Sequence, residues 1–356
     1  MPAACRRAAC WSAWWRGNGQ GGHERAGWRH EGRAVSAGAQ PLRVRVAART
    51  VEAEDICSFE LVAVDGRALP AYAAGSHIDV QVAGLTRQYS LCNDPREAQR
   101  YQIAVLRDPA SRGGSAALHD RVRLGDTLAI SAPRNHFALA PEAERHLLLA
   151  GGIGITPILC MAERLALQGA DFEMHYCTRA RARTAFAQRI AGAPYAARVA
   201  MHFDDGPAGQ RFDIAARLAR PETGTHLYVC GPQGYMDAVL GTARARGWPG
   251  SQLHFECFGA AAATAADDGA FAVRLASSGR VVDVPRGTSV VQALRQAGVE
   301  VMTSCEQGVC GTCLTRLLDG VPDHRDQYLT PEEQAANDQF LPCCSRSKSA
   351  LLTLDL

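Results

Sequence analysis

Residues 304–313 read Ser-Cys-Glu-Gln-Gly-Val-Cys-Gly-Thr-Cys, and Cys343 follows farther along the chain. A C-x4-C-x2-C spacing with a distant fourth cysteine is typical of a plant-type [2Fe–2S] ferredoxin. Gly308 and Gly311 would let the backbone wrap closely around a compact cluster and point N–H groups at its sulfides. The cysteines of this segment that we expect to bind iron are Cys305, Cys310 and Cys313.

A zinc site is the alternative interpretation of these cysteines. Zinc sites usually offer two C-x2-C pairs, whereas here only Cys310 and Cys313 form such a pair, so the iron–sulfur interpretation is favoured. The residues themselves leave the fourth ligand open, because Cys343 and Cys344 are adjacent and either could reach the cluster.

The cysteine-bearing segment belongs to a C-terminal block, residues 270–356, that is preceded by small and polar residues at 260–269. This composition is typical of a linker. Upstream, residues 142–259 alternate apolar strands with helical patterns, which predicts an α/β unit with a parallel sheet. Strands are expected at 146–150, 172–177, 198–203 and 227–230, and helices at 157–168, 212–218 and 235–246.

Two turns in the α/β unit predict a site for a nicotinamide nucleotide. Residues 147–157, Leu-Leu-Leu-Ala-Gly-Gly-Ile-Gly-Ile-Thr-Pro, join a strand to a helix whose N-terminus can bind a pyrophosphate, with Thr156 as the expected N-cap. The turn lacks the third glycine of G-x-G-x-x-G and could serve packing alone. A second turn at 228–232, Tyr-Val-Cys-Gly-Pro, also ends a strand, so both would meet at the carboxyl edge of the sheet. The expected contacts are Gly151, Gly152, Gly154, Arg179, Cys230, Gly231 and Pro232.

The choice between NADH and NADPH is left open by the residues. Residues 178–183, Thr-Arg-Ala-Arg-Ala-Arg, could grip a 2′-phosphate, and no acidic residue stands clearly where it would take the ribose hydroxyls.

Residues 42–141 contain six short alternating stretches separated by turn signals, a pattern typical of a small antiparallel barrel. The strands are expected at 42–51, 58–64, 77–82, 88–92, 101–106 and 127–131. On one of them Arg87 and Tyr89 share a face, suited to binding a phosphate and packing on a flavin ring. Residues 112–115, Arg-Gly-Gly-Ser, open a helical stretch and offer a second phosphate cradle. A core tyrosine with a surface arginine is the alternative, but a hydride donor and a one-electron cluster require a flavin between them.

Composition excludes several function classes. The chain has 356 residues, 13 cysteines and a net charge of +2, which gives no field strong enough to imply nucleic acid or anionic lipid as a partner. Glycines and Pro157 break the longest uncharged apolar run, 147–162, so we expect no membrane span. Without a convincing signal peptide, free thiols in a reducing cytoplasm are expected rather than disulfides. Residues 1–41 show no structural period, and we interpret them as a disordered or mis-started extension.

Five motifs occur in a fixed order: RQYSLCN at 87–93, RGGS at 112–115, GGIGITP at 151–157, YVCGP at 228–232 and CEQGVCGTC at 305–313. In this order, and with the ferredoxin block last, the chain resembles the phthalate dioxygenase reductase family from about residue 42 to the C-terminus. The resemblance implies a ferredoxin–NADP reductase-like FMN barrel at 42–141, an NADH domain at 142–259 and an α+β ferredoxin domain of the β-grasp type at 270–356.

The resemblance also implies site residues and a role. The fourth iron ligand of the family directly precedes a C/V-S-R run, so Cys343 matches it. The residues expected to bind FMN are Arg87, Tyr89, Ser90, Arg112, Gly113, Gly114, Ser115, Thr156 and Phe258, with Phe255 as a competitor of Phe258. The implied role is that of a monomer that passes electrons from NADH through FMN and the cluster to a Rieske-type oxygenase. Alternatives are another acceptor such as a cytochrome P450, or a zinc-stabilised interaction module fused to an inactive reductase fold.

Overall fold

A computed structural model describes residues 41–356, except 110–112, 259–267, 304–307, 309–310 and 327. Residues 41–356 form one unit. The predicted features that fall outside the described residues are the extension at 1–40, most of the linker, Arg112, Cys305 and Cys310.

Nineteen strands and seven α-helices are formed by the described residues. The strands are β1 (Leu42–Ala53), β2 (Ile56–Ala63), β3 (Ser76–Val82), β4 (Leu85–Ser90), β5 (Tyr101–Leu106), β6 (Thr127–Ile130), β7 (Arg134–Asn135), β8 (Arg145–Gly151), β9 (Asp171–Thr178), β10 (Val199–Phe203), β11 (Thr225–Cys230), β12 (Leu253–Glu256), β13 (Phe271–Leu275), β14 (Val281–Val284), β15 (Thr315–Asp319), β16 (Pro322–Asp323), β17 (Gln339–Phe340), β18 (Arg346–Ser347) and β19 (Leu351–Leu354). The helices are α1 (Gly114–Asp120), α2 (Ile155–Gln168), α3 (Ala187–Ala191), α4 (Ile214–Arg217), α5 (Gln233–Ala245), α6 (Val290–Gln296) and α7 (Pro331–Ala336).

The first sheet is an antiparallel barrel with the strand order β4-β3-β6-β1-β2-β5, and β7 pairs with β3. A bridge between Leu91, directly after β4, and Ile103 of β5 joins the two end strands. Side chains alternate between the two faces of a strand, so Val44 and Val46 of β1 point into the fully buried core. All six strands predicted in this region are observed.

The second sheet is parallel, with the order β10-β9-β8-β11-β12. Its central strand β8 places Leu148 in the core shared with α2, and Leu147 and Leu149 in the core shared with α5. This alternation explains the continuous apolar run, since a parallel strand is covered by helices on both faces. Sequence reasoning missed β12, an edge strand whose residues Leu253–Glu256 include two polar side chains.

The third sheet is mixed, with the order β14-β13-β19-β15-β17, and α6 packs on it. A separate small cluster of buried residues contains three cysteines, Cys313, Cys343 and Cys344. Asp268, near the end of the predicted linker, is buried; Arg325 donates to it at 2.7 and 2.9 Å. The chain is therefore fixed to this part of the molecule from Asp268 onward.

Among the described residues, no helix combines the length and apolar character that crossing a membrane requires.

Candidate functional site

Strand β4 and the start of α1 bring the two predicted flavin motifs of the barrel together. A Cβ atom on Gly114 would lie 2.6 Å from Cγ and 3.0 Å from Nε of Arg87, so the arginine stem lies directly on the glycine backbone. Gly113 precedes the helix with φ 97°, a left-handed conformation that favours glycine. The Oγ atom of Ser115 accepts a hydrogen bond from the backbone N–H of Asp108 at 3.3 Å. Arg87, Gly113 and Gly114 thus lie together and form one cradle, a candidate site for a phosphate group.

Tyr89 lies two residues beyond Arg87 on the same face of β4, half-buried against the barrel core. Burial raises the pKa of Tyr89 to about 12, so the phenol is neutral at physiological pH. A neutral, partly covered aromatic ring beside the cradle is suited to packing against a flavin ring.

Ser90, the last residue of β4, connects the barrel to the parallel sheet. Its Oγ donates a hydrogen bond to Oε2 of Glu256, the last residue of β12, at 2.9 Å. Nδ1 of His77 lies 3.7 Å from the other carboxylate oxygen. Burial raises the pKa of Glu256 to about 7, and burial, with a smaller contribution from Arg134, lowers that of His77 to about 4. Sequence reasoning did not select Glu256, although the residue stands at the end of a strand beside the predicted Phe258.

The aromatic residues near Glu256 differ in their surroundings. Phe255 packs against the core between the parallel sheet and α5, whereas Phe258 is 36% exposed. Of the two competitors, Phe258 is therefore the one whose ring is not taken up by core packing.

The two predicted nucleotide turns pack directly on each other. A Cβ atom on Gly154 would come 2.2 Å from the carbonyl oxygen of Cys230, and one on Gly231 would come 2.9 Å from Cα of Gly151. These three glycines are thus required for close contact between the turns. Gly152 differs, since it has φ 53° and nothing within 4 Å of an added Cβ. The two turns therefore combine close packing at three glycines with a backbone at Gly152 that is open to a ligand.

The prediction that Thr156 caps the helix is wrong. A 3-10 turn at Gly152–Gly154 continues directly into α2, so Gly154 is the N-cap and Thr156 lies inside the first turn. The Thr156 side chain is buried and donates to the carbonyl of Ile153 at 3.1 Å. The chain becomes helical earlier than Pro157 suggests, because the glycines already turn the backbone.

A cavity of about 740 Å³ opens at the carboxyl edge of the parallel sheet. Gly151, Gly152, Arg179 and Pro232, four of the predicted nucleotide residues, line it. Its wall also includes Asp204, which directly follows β10 and was missed because no local motif marks it. The cavity therefore offers glycine backbone together with several guanidinium groups and several carboxylates, Arg179 and Asp204 among them.

The other arginines of residues 178–183 have partners. The guanidinium of Arg181 lies over the ring of Phe203 at 4.7 Å, and Arg183 pairs with Asp55 at 3.3 Å. Arg179 and Arg183 both line the cavity, but the guanidinium of Arg183 is already paired with Asp55, so Arg179 is the candidate for ligand contact.

The described part of the cysteine segment fits a compact cluster. Cys313 and Cys343 are both buried. Gly308 and Gly311 have φ 74° and 70°, and a Cβ on Gly308 would come 2.4 Å from Sγ of Cys344. Cys313 and Cys343 lie in one buried cluster, so the described residues supply two of the four thiols that a [2Fe–2S] cluster needs, together with two glycines in the left-handed conformation.

Two family models match the chain. Residues 273–348 match the 2Fe-2S iron-sulfur cluster binding domain, and residues 130–253 match the dimethylamine monooxygenase subunit DmmA-like N-terminal domain. The vanillate O-demethylase oxidoreductase of Pseudomonas putida is 57% identical over 313 residues, which are 87% of this chain and 98% of the relative. The crystal structure of phthalate dioxygenase reductase, a modular structure for electron transfer from pyridine nucleotides to [2Fe–2S], superposes with a TM-score of 0.71 at 42% identity, covering 89% of this chain and 98% of that one.

The chain belongs to the phthalate dioxygenase reductase family. This confirms the predicted fold class and the predicted cofactor classes, a nicotinamide nucleotide, a flavin and a [2Fe–2S] cluster. As a member of this reductase family, the protein is an NAD(P)H-dependent oxidoreductase that passes electrons through a flavin to the cluster and serves an oxygenase. The iron–sulfur interpretation of the cysteines is confirmed over the zinc alternative.

A further solved structure extends the range of related proteins. An intact type IV self-sufficient cytochrome P450 monooxygenase matches 89% of this chain at 41% identity and a TM-score of 0.77. This chain spans 41% of that longer protein.

Proposed function

We propose that the protein is the NADH-dependent, FMN-containing reductase component of a Rieske-type aromatic oxygenase or O-demethylase. The contact between Ser90 and Glu256 carries the proposal, because it joins the flavin strand of the barrel to the parallel sheet whose carboxyl edge holds the nucleotide cavity. A hydride donor bound at that edge and a flavin on β4 would share this junction. We further propose three modules, at 42–141, 142–259 and 270–356, in a cytoplasmic monomer.

The barrel cradle supports FMN as the flavin. Arg87 would bind the terminal phosphate with its guanidinium, and the backbone of Gly113, Gly114 and Ser115 would complete the anion site, with Arg112 next to it in the chain. Tyr89 would cover the flavin ring, and Thr156 and Phe258 would approach it from the α/β unit. The flavin, when bound, supplies the conversion of a hydride into two separate electrons.

The cavity at the parallel sheet supports NADH as the donor. The open backbone at Gly152 would face the pyrophosphate, and Gly151, Gly154, Cys230, Gly231 and Pro232 would shape the two turns that hold it. Asp204 would accept hydrogen bonds from the ribose hydroxyls and disfavour a 2′-phosphate, while Arg179 would bind the pyrophosphate or ribose region.

The four iron ligands proposed are Cys305, Cys310, Cys313 and Cys343. For the fourth position, Cys343 is supported by the family pattern. The neighbouring Cys344 is also buried, and its thiol donates to the carbonyl of Leu341 at 3.7 Å, so the two adjacent cysteines are told apart by the family pattern alone.

A cytochrome P450 is the second candidate for the acceptor. The likeness to a self-sufficient P450 monooxygenase favours it, because that protein carries a related reductase portion in its own chain. The test is to supply the reduced protein with a purified Rieske-type O-demethylase oxygenase or with a P450 in the presence of NADH. Rapid reduction of the Rieske centre supports the proposal, whereas reduction of the P450 alone contradicts it.

The flavin is tested separately. Mild denaturation followed by chromatography should release FMN in stoichiometric amount, whereas FAD would contradict the flavin assignment and leave the reductase assignment intact.

A further inference from the structure

Tyr328 lies between the cysteine segment and the flavin barrel. On one side its ring covers Gly311, since a Cβ atom there would come 2.3 Å from Cζ and 2.4 Å from Cε2 of the tyrosine. On the other side the ring meets His136 edge to face, with 6.3 Å between the ring centroids and an angle of 82° between the planes. His136 directly follows β7 of the barrel.

The contacts continue from His136 to the strand that carries the proposed flavin site. The ring of His136 lies 5.5 Å from that of His77 at an angle of 31°. Nε2 of His77 lies 3.2 Å from Nε2 of Gln88, the residue between Arg87 and Tyr89. A continuous row of side chains thus connects Gly311 with β4.

We propose that Tyr328 is a positioning residue for electron transfer, which holds the iron–sulfur module at a fixed separation from the flavin barrel. The inference rests on the proposed function, because Gly311 lies between the proposed ligands Cys310 and Cys313. Contacts between modules of one chain are usually weak and permit relative motion. An edge-to-face aromatic pair has a preferred geometry, so a tyrosine that touches both modules restricts that motion.

The electron balance of the step is simple. NADH would give a hydride to the flavin and become NAD⁺, and the bound flavin would supply the two electrons one at a time. Each electron would reduce one iron(III) of the cluster to iron(II), and one molecule of ferricytochrome c would then reoxidise the cluster. One NADH therefore reduces two molecules of cytochrome c and releases one proton.

The test compares Tyr328→Ala with Tyr328→Phe, which keeps the ring, in the full chain loaded with both cofactors. Stopped-flow absorbance after mixing with NADH follows flavin and cluster separately. We expect Tyr328→Ala to slow flavin-to-cluster transfer severalfold, because the rate of electron transfer falls steeply as the separation of the two centres grows. Reduction of the flavin by NADH, ferricyanide reduction and cluster content should stay unchanged, and Tyr328→Phe should transfer at the normal rate. Hydrogen exchange should rise in the peptides that contain His136 and Gly311 only in the alanine variant.

Two variants of His136 test the same contact if Tyr328→Ala loses its cluster. His136→Ala breaks the same contact from the barrel side while Gly311 stays covered, and His136→Phe restores a ring. Normal flavin-to-cluster transfer in His136→Ala, or in a Tyr328→Ala variant that retains its cluster, would overturn the proposal. Failure of the proposed function would look different, since the wild-type protein would then lack flavin or would not be reduced by NADH.

Discussion

Ser90 and Glu256 are separated by 166 positions in the chain, yet the hydroxyl of one donates to the carboxylate of the other at 2.9 Å. The contact joins the end of β4 in the barrel to the end of β12 in the parallel sheet. Burial raises the pKa of Glu256 to about 7, so this junction titrates in the physiological range.

Glu256→Gln should change how stability depends on pH. The unfolded carboxyl has a pKa near 4.5 and the folded one near 7. Between these values the folded state binds more protons, so the wild-type protein loses stability as the pH rises, by about 3 kcal/mol in total at about 1.4 kcal/mol per pH unit. Glutamine does not titrate. Urea denaturation at pH 5 and pH 8 should therefore show the variant gaining about 2–3 kcal/mol relative to wild type at the higher pH.

Ser90→Ala is the matched control for this titration. The hydrogen bond from Ser90 opposes the effect of burial on the pKa of Glu256, so its loss should raise that pKa further. The loss of stability with rising pH should then extend to higher pH than in wild type. If the free energy of unfolding depended on pH in the same way in wild type and Glu256→Gln, Glu256 would not be the group that titrates near pH 7.

Gly114→Ala should weaken flavin binding. The new methyl group would displace the stem of Arg87, and overpacking of this kind costs about 1–3 kcal/mol, or about 5- to 150-fold in Kd. Gly241→Ala in α5 is the control, because an added Cβ there meets nothing within 4 Å. The flavin Kd of each variant is measured from flavin fluorescence while the apoprotein is titrated. If the two variants bound flavin with equal affinity, Gly114 would not be part of the flavin site.

Local sequence predicted those parts of the site that short segments build on their own. The two turns at Gly151 and Gly231 and the strand with Arg87 carry their own signals, glycines at strand ends and a charged side chain at period two. Glu256 and Tyr328 carry no such signal, because long-range packing brings them to the site. The prediction of Thr156 as the N-cap was wrong because the backbone already turns at Gly152–Gly154, so α2 begins before Thr156.

Asp204→Asn should relax the preference for NADH. The wild-type carboxylate faces the same cavity as Arg179 and would repel a 2′-phosphate. Removing one partly exposed charge is worth about 1 kcal/mol, so kcat/KM for NADPH should rise about fivefold while that for NADH falls. Arg179→Ala should lower kcat/KM for NADPH in the Asp204→Asn background. Wild-type preference for NADPH, or no change in Asp204→Asn, would contradict the assigned role of Asp204.

Cys343→Ser should abolish the cluster, whereas Cys344→Ser should retain it. Serine is a poor replacement for a soft thiolate on iron, and the family pattern places Cys343 rather than Cys344 at the fourth ligand position. The two adjacent, buried cysteines form a matched pair, and visible absorbance with iron content measures the outcome. Loss of the cluster in Cys344→Ser alone would shift the ligand assignment by one residue.

The order of electron flow is tested most directly with Cys343→Ser under two electron acceptors. Ferricyanide can take electrons from the flavin, whereas cytochrome c depends on the one-electron path through the cluster. We expect the variant to reduce ferricyanide with NADH at the wild-type rate and to lose reduction of cytochrome c. Loss of both activities would contradict independent modules, and undiminished cytochrome c reduction without a cluster would contradict the path from NADH through flavin to [2Fe–2S].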